Sequence, residues 1–190
     1  MSRLFTLFVA ASAGVGLMTL VAVSCPEAVA AEAAVRQAAV TPLEEFGEMV
    51  VGRWAGKLTM LVDWPGFGKK GDLVTGQVTF QWIVDRRALE GADYLGVGTN
   101  RALYFWDPAA KKIRHTQIDS GGTTLEGWIW KQNGQWYSKG TGSYADGTRY
   151  DVENVILTRD GGKSLVYKGT LAVSGGKGEA YEDVYTRASD

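Results

Sequence analysis

From Gly52 to the C-terminus the chain alternates apolar and polar residues in short runs, each stopped by glycine or an Asp-Pro turn. A period of two is the signature of a β-strand, and its repetition at this spacing leaves no stretch after Gly52 with a helical pattern. The runs are 53–62, 77–85, 88–97, 102–106, 112–119, 123–131, 135–142, 148–158, 164–172 and 179–187. Between them lie Asp107-Pro108-Ala109-Ala110, Ser120-Gly121-Gly122, Asn133-Gly134, Asp146-Gly147, Gly161-Gly162 and Gly175-Gly176. Asn-Gly and Asp-Gly supply the positive φ angles of a tight hairpin turn. Composition agrees: 25 Gly, seven Trp and eight Tyr stand against only four Pro. The expected fold is therefore all-β, an up-and-down antiparallel meander of eight to ten strands. A sheet that long closes into a barrel, because closure removes its exposed edges.

The N-terminal segment follows other rules. Arg3 precedes an uncharged apolar run, Leu4 to Val23, and then Pro26 and Ala28-Val29-Ala30. A basic start, an apolar stretch and an Ala-x-Ala site are the parts of a secretory signal, so residues 1–30 are expected to be removed on export to the periplasm or the exterior. An uncleaved anchor is the alternative reading of the same run. Cys25 also has two readings: a small residue inside a discarded signal, or, since Ala22-Val23-Ser24-Cys25 resembles a lipoprotein signal, the site of a lipid anchor. Residues 31–41 read as an Ala-rich linker and 42–190 as the barrel domain, with no membrane span once the signal is cleaved. Thr41 as N-cap, Pro42 in the first helical position and Glu44 and Glu45 in the first turn mark a short helix ending near Gly52. Its apolar face carries Leu43, Phe46, Met49 and Val50.

Charge and composition exclude several functions. The net charge is −1, and the signal carries one charge of each sign (Arg3 and Glu27), so its removal leaves the balance unchanged. Nucleic-acid binding needs a basic stripe that this chain lacks. One Cys and one His leave no disulfide framework and no Cys/His metal site. No phosphate loop, dinucleotide fingerprint or nucleophile elbow occurs in a suitable context, so no metal and no cofactor are expected.

Gly52-Arg53-Trp54, at the start of the first strand and just after a short helix, resembles the glycine-x-tryptophan signature of the calycins, the superfamily of lipocalins and fatty-acid-binding proteins. The resemblance implies that Trp54 closes the barrel floor and that Arg187, ending the last strand, packs over it. Gly52, Trp54 and Arg187 are thus expected to be structural. The stretch with Phe105-Trp106-Asp107-Pro108, Lys112-Ile113-Arg114, Asp119-Ser120-Gly121-Gly122 and Glu126-Gly127 is similar to bacterial lipocalin-like domains of uncharacterised function. Haem-binding barrels of that superfamily use a histidine near the C-terminal end, and the last strand here has none.

A closed barrel of this size holds a cavity for one small ligand. Val78, Phe80, Trp82 and Val84 form one apolar face of the second strand. Glu126, Trp128 and Trp130 share a face of the sixth, and Ile113, His115, Gln117 and Asp119 a face of the fifth. The expected ligand-binding residues are Phe80, Trp82, Trp128, Trp130, His115 and Gln117, and the expected partner is a small, largely apolar molecule. The alternatives are a barrel enzyme (isomerase, hydratase or cyclase) using His115, Asp119 or Glu126 as acid or base, and an interaction module presenting strand faces or the Trp64/Phe67 loop. A solvated strand surface is the competing reading for His115, and an outward position the competing reading for Glu126.

Overall fold

A computed structural model describes residues 40–189. The expected secretory signal, Cys25 and most of the expected linker lie outside the described residues. Helix α1 (Pro42–Val50) is followed by ten strands: β1 (Gly52–Thr59), β2 (Leu73–Ile83), β3 (Ala88–Leu95), β4 (Gly98–Asp107), β5 (Lys112–Asp119), β6 (Thr124–Gln132), β7 (Gln135–Ser143), β8 (Arg149–Arg159), β9 (Ser164–Val173) and β10 (Glu179–Arg187). Each strand pairs antiparallel with its sequence neighbour, and β1 pairs with β10, so the sheet is a closed up-and-down barrel. Among the described residues no helix is long and apolar enough to cross a membrane.

Helix α1 starts as its sequence dictates. Thr41 caps it through a capping box, its side chain accepting from the Glu44 backbone N–H while the Glu44 carboxylate reaches back to the Thr41 N–H. Leu43, Phe46 and Val50 are buried among Trp54, Ile113, Ile129, Trp136, Ile156 and Leu165, so the helix seals one end of the barrel. Trp82 packs against the helix rather than facing the barrel centre. A Cβ on Gly47 would lie 2.1 Å from its ring, so the indole needs a glycine beneath it.

At this floor the Trp54 ring N–H donates to the Val50 carbonyl at 2.7 Å, tying strand to helix. Trp54 faces Arg187 across the β1–β10 seam, and the Arg187 guanidinium carbon stands 4.1 Å from the indole centroid. The same guanidinium donates to the Val51 carbonyl at 2.8 Å. Gly52 has φ 131°, and a Cβ there would lie 2.5 Å from the Arg187 Nη1, which gives two reasons for glycine at the first position of Gly-x-Trp.

The opposite end is covered by the β1–β2 connection. Asp63–Asp72 folds back on itself through a Trp64–Gly68 bridge and is held to the rim. Phe67 lies over Gly98, where a Cβ would meet its ring at 2.5 Å, and the Pro65 carbonyl lies over Gly121, where a Cβ would meet it at 2.1 Å. The two aromatics that look exposed in the sequence are turned inward: Phe67 is buried and Trp64 half-buried.

All ten sequence runs are strands, with shifts at some ends. The runs at 77 and 102 begin four residues earlier, at Leu73 and Gly98. Gly76 and Gly98, outside the runs read from the sequence, sit within strands, their missing side chains leaving room for Tyr185 and Phe67.

Candidate functional site

Inside the barrel, beyond the apolar floor, a cavity of about 250 Å³ remains. Residues of every strand reach its wall, and Met60, Leu61, Val62 and Trp64 bring the covering loop to it. Phe80, His115 and Gln117 line the cavity, on the faces expected from alternation. Trp82 lies outside the lining, under α1.

The sixth strand is turned opposite to the expectation. Leu125, Gly127 and Ile129 are the buried set, whereas Glu126 is exposed and Trp128 and Trp130 stand on the outer wall. There Arg114 lies over Trp128 and Lys112 over Trp130, with cation-to-centroid distances of 5.5 and 4.6 Å, and Glu126 pairs with Arg114 at 3.4 Å. The reason is steric. Gly127 pairs with His115 on the inner wall, and a Cβ at Gly127 would lie 2.4 Å from the Lys139 carbonyl. The bulky aromatics therefore take the outer face, where cationic side chains cover them.

His115 is buried and stacked on Tyr104, with ring centroids 5.3 Å apart and planes 11° from parallel. Burial pushes its pKa down to about 4, which keeps the imidazole neutral. Among the described residues its Nδ1 has no hydrogen-bond partner. Asp119 is on the same face but is occupied elsewhere. One carboxylate oxygen accepts from the backbone N–H groups of Gly121 and Thr123 at 2.8 and 2.9 Å, and the other accepts from the Trp64 ring N–H at 2.9 Å. Asp119 therefore fastens the covering loop to the β5–β6 turn, with both its oxygens engaged away from His115 and Gln117.

Two carboxylates that the sequence reading passes over face the cavity instead. Asp93 on β3 and Asp183 on β10 both line it. Burial pushes Asp93 up to about 7 against the lowering effects of Asn100 and of Arg101, and burial alone pushes Asp183 up to about 6. The Asn100 amide donates to Asp93 at 3.1 Å, which leaves the Asn100 Oδ1 buried without a partner among the described residues. Tyr104, Tyr167 and Tyr185 complete this side, their hydroxyls held protonated first by burial and then by nearby charge, that of Asp93 included. Tyr181, on the same face of β10 as Asp183, donates to Asn154, which donates to Ser138 at 3.1 Å.

The signal for the missed residues lies in the alternation itself. Leu89, Gly91, Asp93 and Leu95 share one face of β3, and Tyr181, Asp183 and Tyr185 one face of β10, so each acid stands in an inward column. Among the described residues no group of three or more His, Cys, Asp or Glu side chains is placed to hold a metal ion. Compared with known proteins, the chain matches no family model and no curated sequence.

Proposed function

We propose that this chain is an exported small-molecule-binding barrel of the calycin type, whose ligand occupies the interior cavity. The observation that carries the reading is the space itself: a closed barrel, sealed by α1 at one end and covered by the Asp63–Asp72 loop at the other, keeps about 250 Å³ unfilled. Protein interiors are otherwise close-packed. Aromatic and aliphatic walls with a few convergent polar groups are the usual make-up of a ligand pocket and suit a small, largely apolar molecule. The Trp54–Arg187 stack at the Gly-x-Trp strand supports the calycin assignment, and Arg3, the apolar run and Ala28-Val29-Ala30 support export.

The test is uptake by the purified chain, read by isothermal titration calorimetry with 2-phenylethanol and its ammonium analogue. Saturable binding of either at a single site is expected, with its loss in Val152→Trp, which fills the cavity from β8. The same affinity in the filled variant, or no uptake of either probe by the unaltered chain, would overturn the reading.

A further inference from the structure

Asp93 and Asp183 form no ion pair with any Lys or Arg among the described residues. Arg101, the cation nearest in effect to Asp93, stands on the outer wall of β4 over Tyr94. A carboxylate withdrawn from water is costly unless something of opposite charge meets it. The only described side-chain donor to either acid is the Asn100 amide, and that contact has a second effect. With its NH2 turned to Asp93, Asn100 presents its carbonyl oxygen as a third acceptor. Asn100 is 8% exposed, and this oxygen has no partner among the described residues. The cavity lining thus carries acid and amide oxygens that no described cationic side chain meets.

The surroundings suit one kind of counter-charge. Tyr104 and Phe80 are in contact, with centroids 5.8 Å apart, and Tyr167 and Tyr185 meet edge to face at 6.2 Å. Tyr185 reaches over the inward Gly76, where a Cβ would lie 3.3 Å from its ring, and both Tyr167 and Tyr185 feel the charges of Asp93 and Asp183. Aromatic faces beside carboxylates attract an organic cation through cation–π and charge-assisted contacts together. An anion could take the tyrosine hydroxyls as donors, but its charge would be opposed by both acids. A metal ion would require a set of ligating side chains that the described residues do not assemble.

We infer that the ligand of this cavity is a small organic cation, an ammonium or guanidinium on an apolar body, with its charged group on Asp93 and the Asn100 carbonyl, Asp183 adding a second negative charge, and its body against Phe80, Tyr104, Tyr167 and Tyr185. The inference rests on the cavity reading above and specifies its ligand.

Three probes of matched shape test it by titration calorimetry on the full chain: 2-phenylethylammonium, 2-phenylethanol and 3-phenylpropionate. The ammonium should bind about tenfold or more tighter than the alcohol, the equivalent of one charge-assisted hydrogen bond, and the carboxylate should bind weakest. Asp93→Asn should remove most of the preference for the ammonium while leaving the alcohol's affinity in place, and Asp183→Asn should remove less. Equal binding of ammonium and alcohol to the unaltered chain would overturn the cation inference and leave the cavity reading standing. Tighter binding of the carboxylate would also overturn it. Absence of binding by all three would take both down. Because the probe comparison is made on the unaltered chain, it decides the matter even if a variant fails to fold.

Discussion

Asp93, Asp183 and His115 share one cavity and answer to protons in opposite directions. The acids have folded pKa values of about 7 and about 6, above the ordinary 3.8, so the folded chain holds their protons more tightly than the unfolded chain does. Their contribution to stability is therefore lost as pH rises from about 3.8 toward 7 for Asp93 and toward 6 for Asp183. His115 is depressed to about 4 from 6.5, so the unfolded chain binds its proton more readily, and its contribution is lost as pH falls through that window. Two opposed slopes of unequal number leave a net decline with rising pH below about 6, and near 6.5 Asp93 and His115 offset each other. Thermal unfolding of Asp93→Asn should show this. Relative to the unaltered chain the variant gains stability steadily from pH 4 to 7, at up to about 1.4 kcal/mol per pH unit, and is level above. A difference curve flat over that range would show that Asp93 keeps its ordinary pKa. His115→Gln should give a difference of opposite sign, gaining as pH falls below 6.5.

Among the elements, the Asp63–Asp72 loop is fastened to the rim by the Trp64–Asp119 hydrogen bond, beside the Lys70–Glu179 ion pair and the packing of Phe67 on Gly98. Trp64→Phe keeps the ring and its contacts with Phe67, Tyr144 and Tyr150 but removes the donor to Asp119. Stability should fall by about 1–2 kcal/mol. Amide exchange at Phe67 and Gly68, whose N–H groups bond the Trp64 carbonyl at 3.0 and 3.2 Å, should quicken while that of the strands does not. Unchanged exchange at those amides would mean that backbone packing on Gly98 and Gly121 holds the loop without Asp119. This contact joins residues 55 positions apart, which is why the sequence shows an open, glycine-rich connection and not its attachment. The start of helix α1 was legible to the residue because capping is local: Thr41, Pro42 and Glu44 carry that instruction, while its end falls at Val50, short of Gly52. Strand β6 was not, since alternation defines two faces without a sign. Size favoured Trp128 and Trp130 for the interior, but the close approach of β7 at Gly127 decided otherwise.

At the scale of the molecule, closure depends on the seam between β1 and β10, where the register has three paired positions, Trp54–Arg187, Ala55–Thr186 and Gly56–Tyr185. Arg187 binds this seam to α1 through Trp54 and the Val51 carbonyl. Arg187→Ala should lower stability by about 1–2 kcal/mol, read in urea unfolding, whereas Arg187→Lys should restore part of the loss by keeping the charge over the indole. A neutral outcome for Arg187→Ala would assign the floor to α1 alone. The barrel itself was legible because every connection after β1 but one is a short turn. Asn133 and Gly134, for instance, have φ of 51° and 78°, the geometry their types favour. The contents of the cavity were not, because a polar residue inside a barrel has the same spacing as one outside, and only the assembled wall shows which acids lack water.

The outward turn of β6 also bears on optical measurement. The seven tryptophans divide into Trp128 and Trp130 on the outer wall, Trp54, Trp82, Trp106 and Trp136 in or against the floor cluster, and Trp64 on the loop. Trp64 alone among them lines the cavity. Emission from the other six is a background that an occupant of the cavity does not touch, so intrinsic fluorescence would respond weakly even to complete occupancy, and a chain keeping Trp64 with phenylalanine on the outer wall would report it with greater contrast.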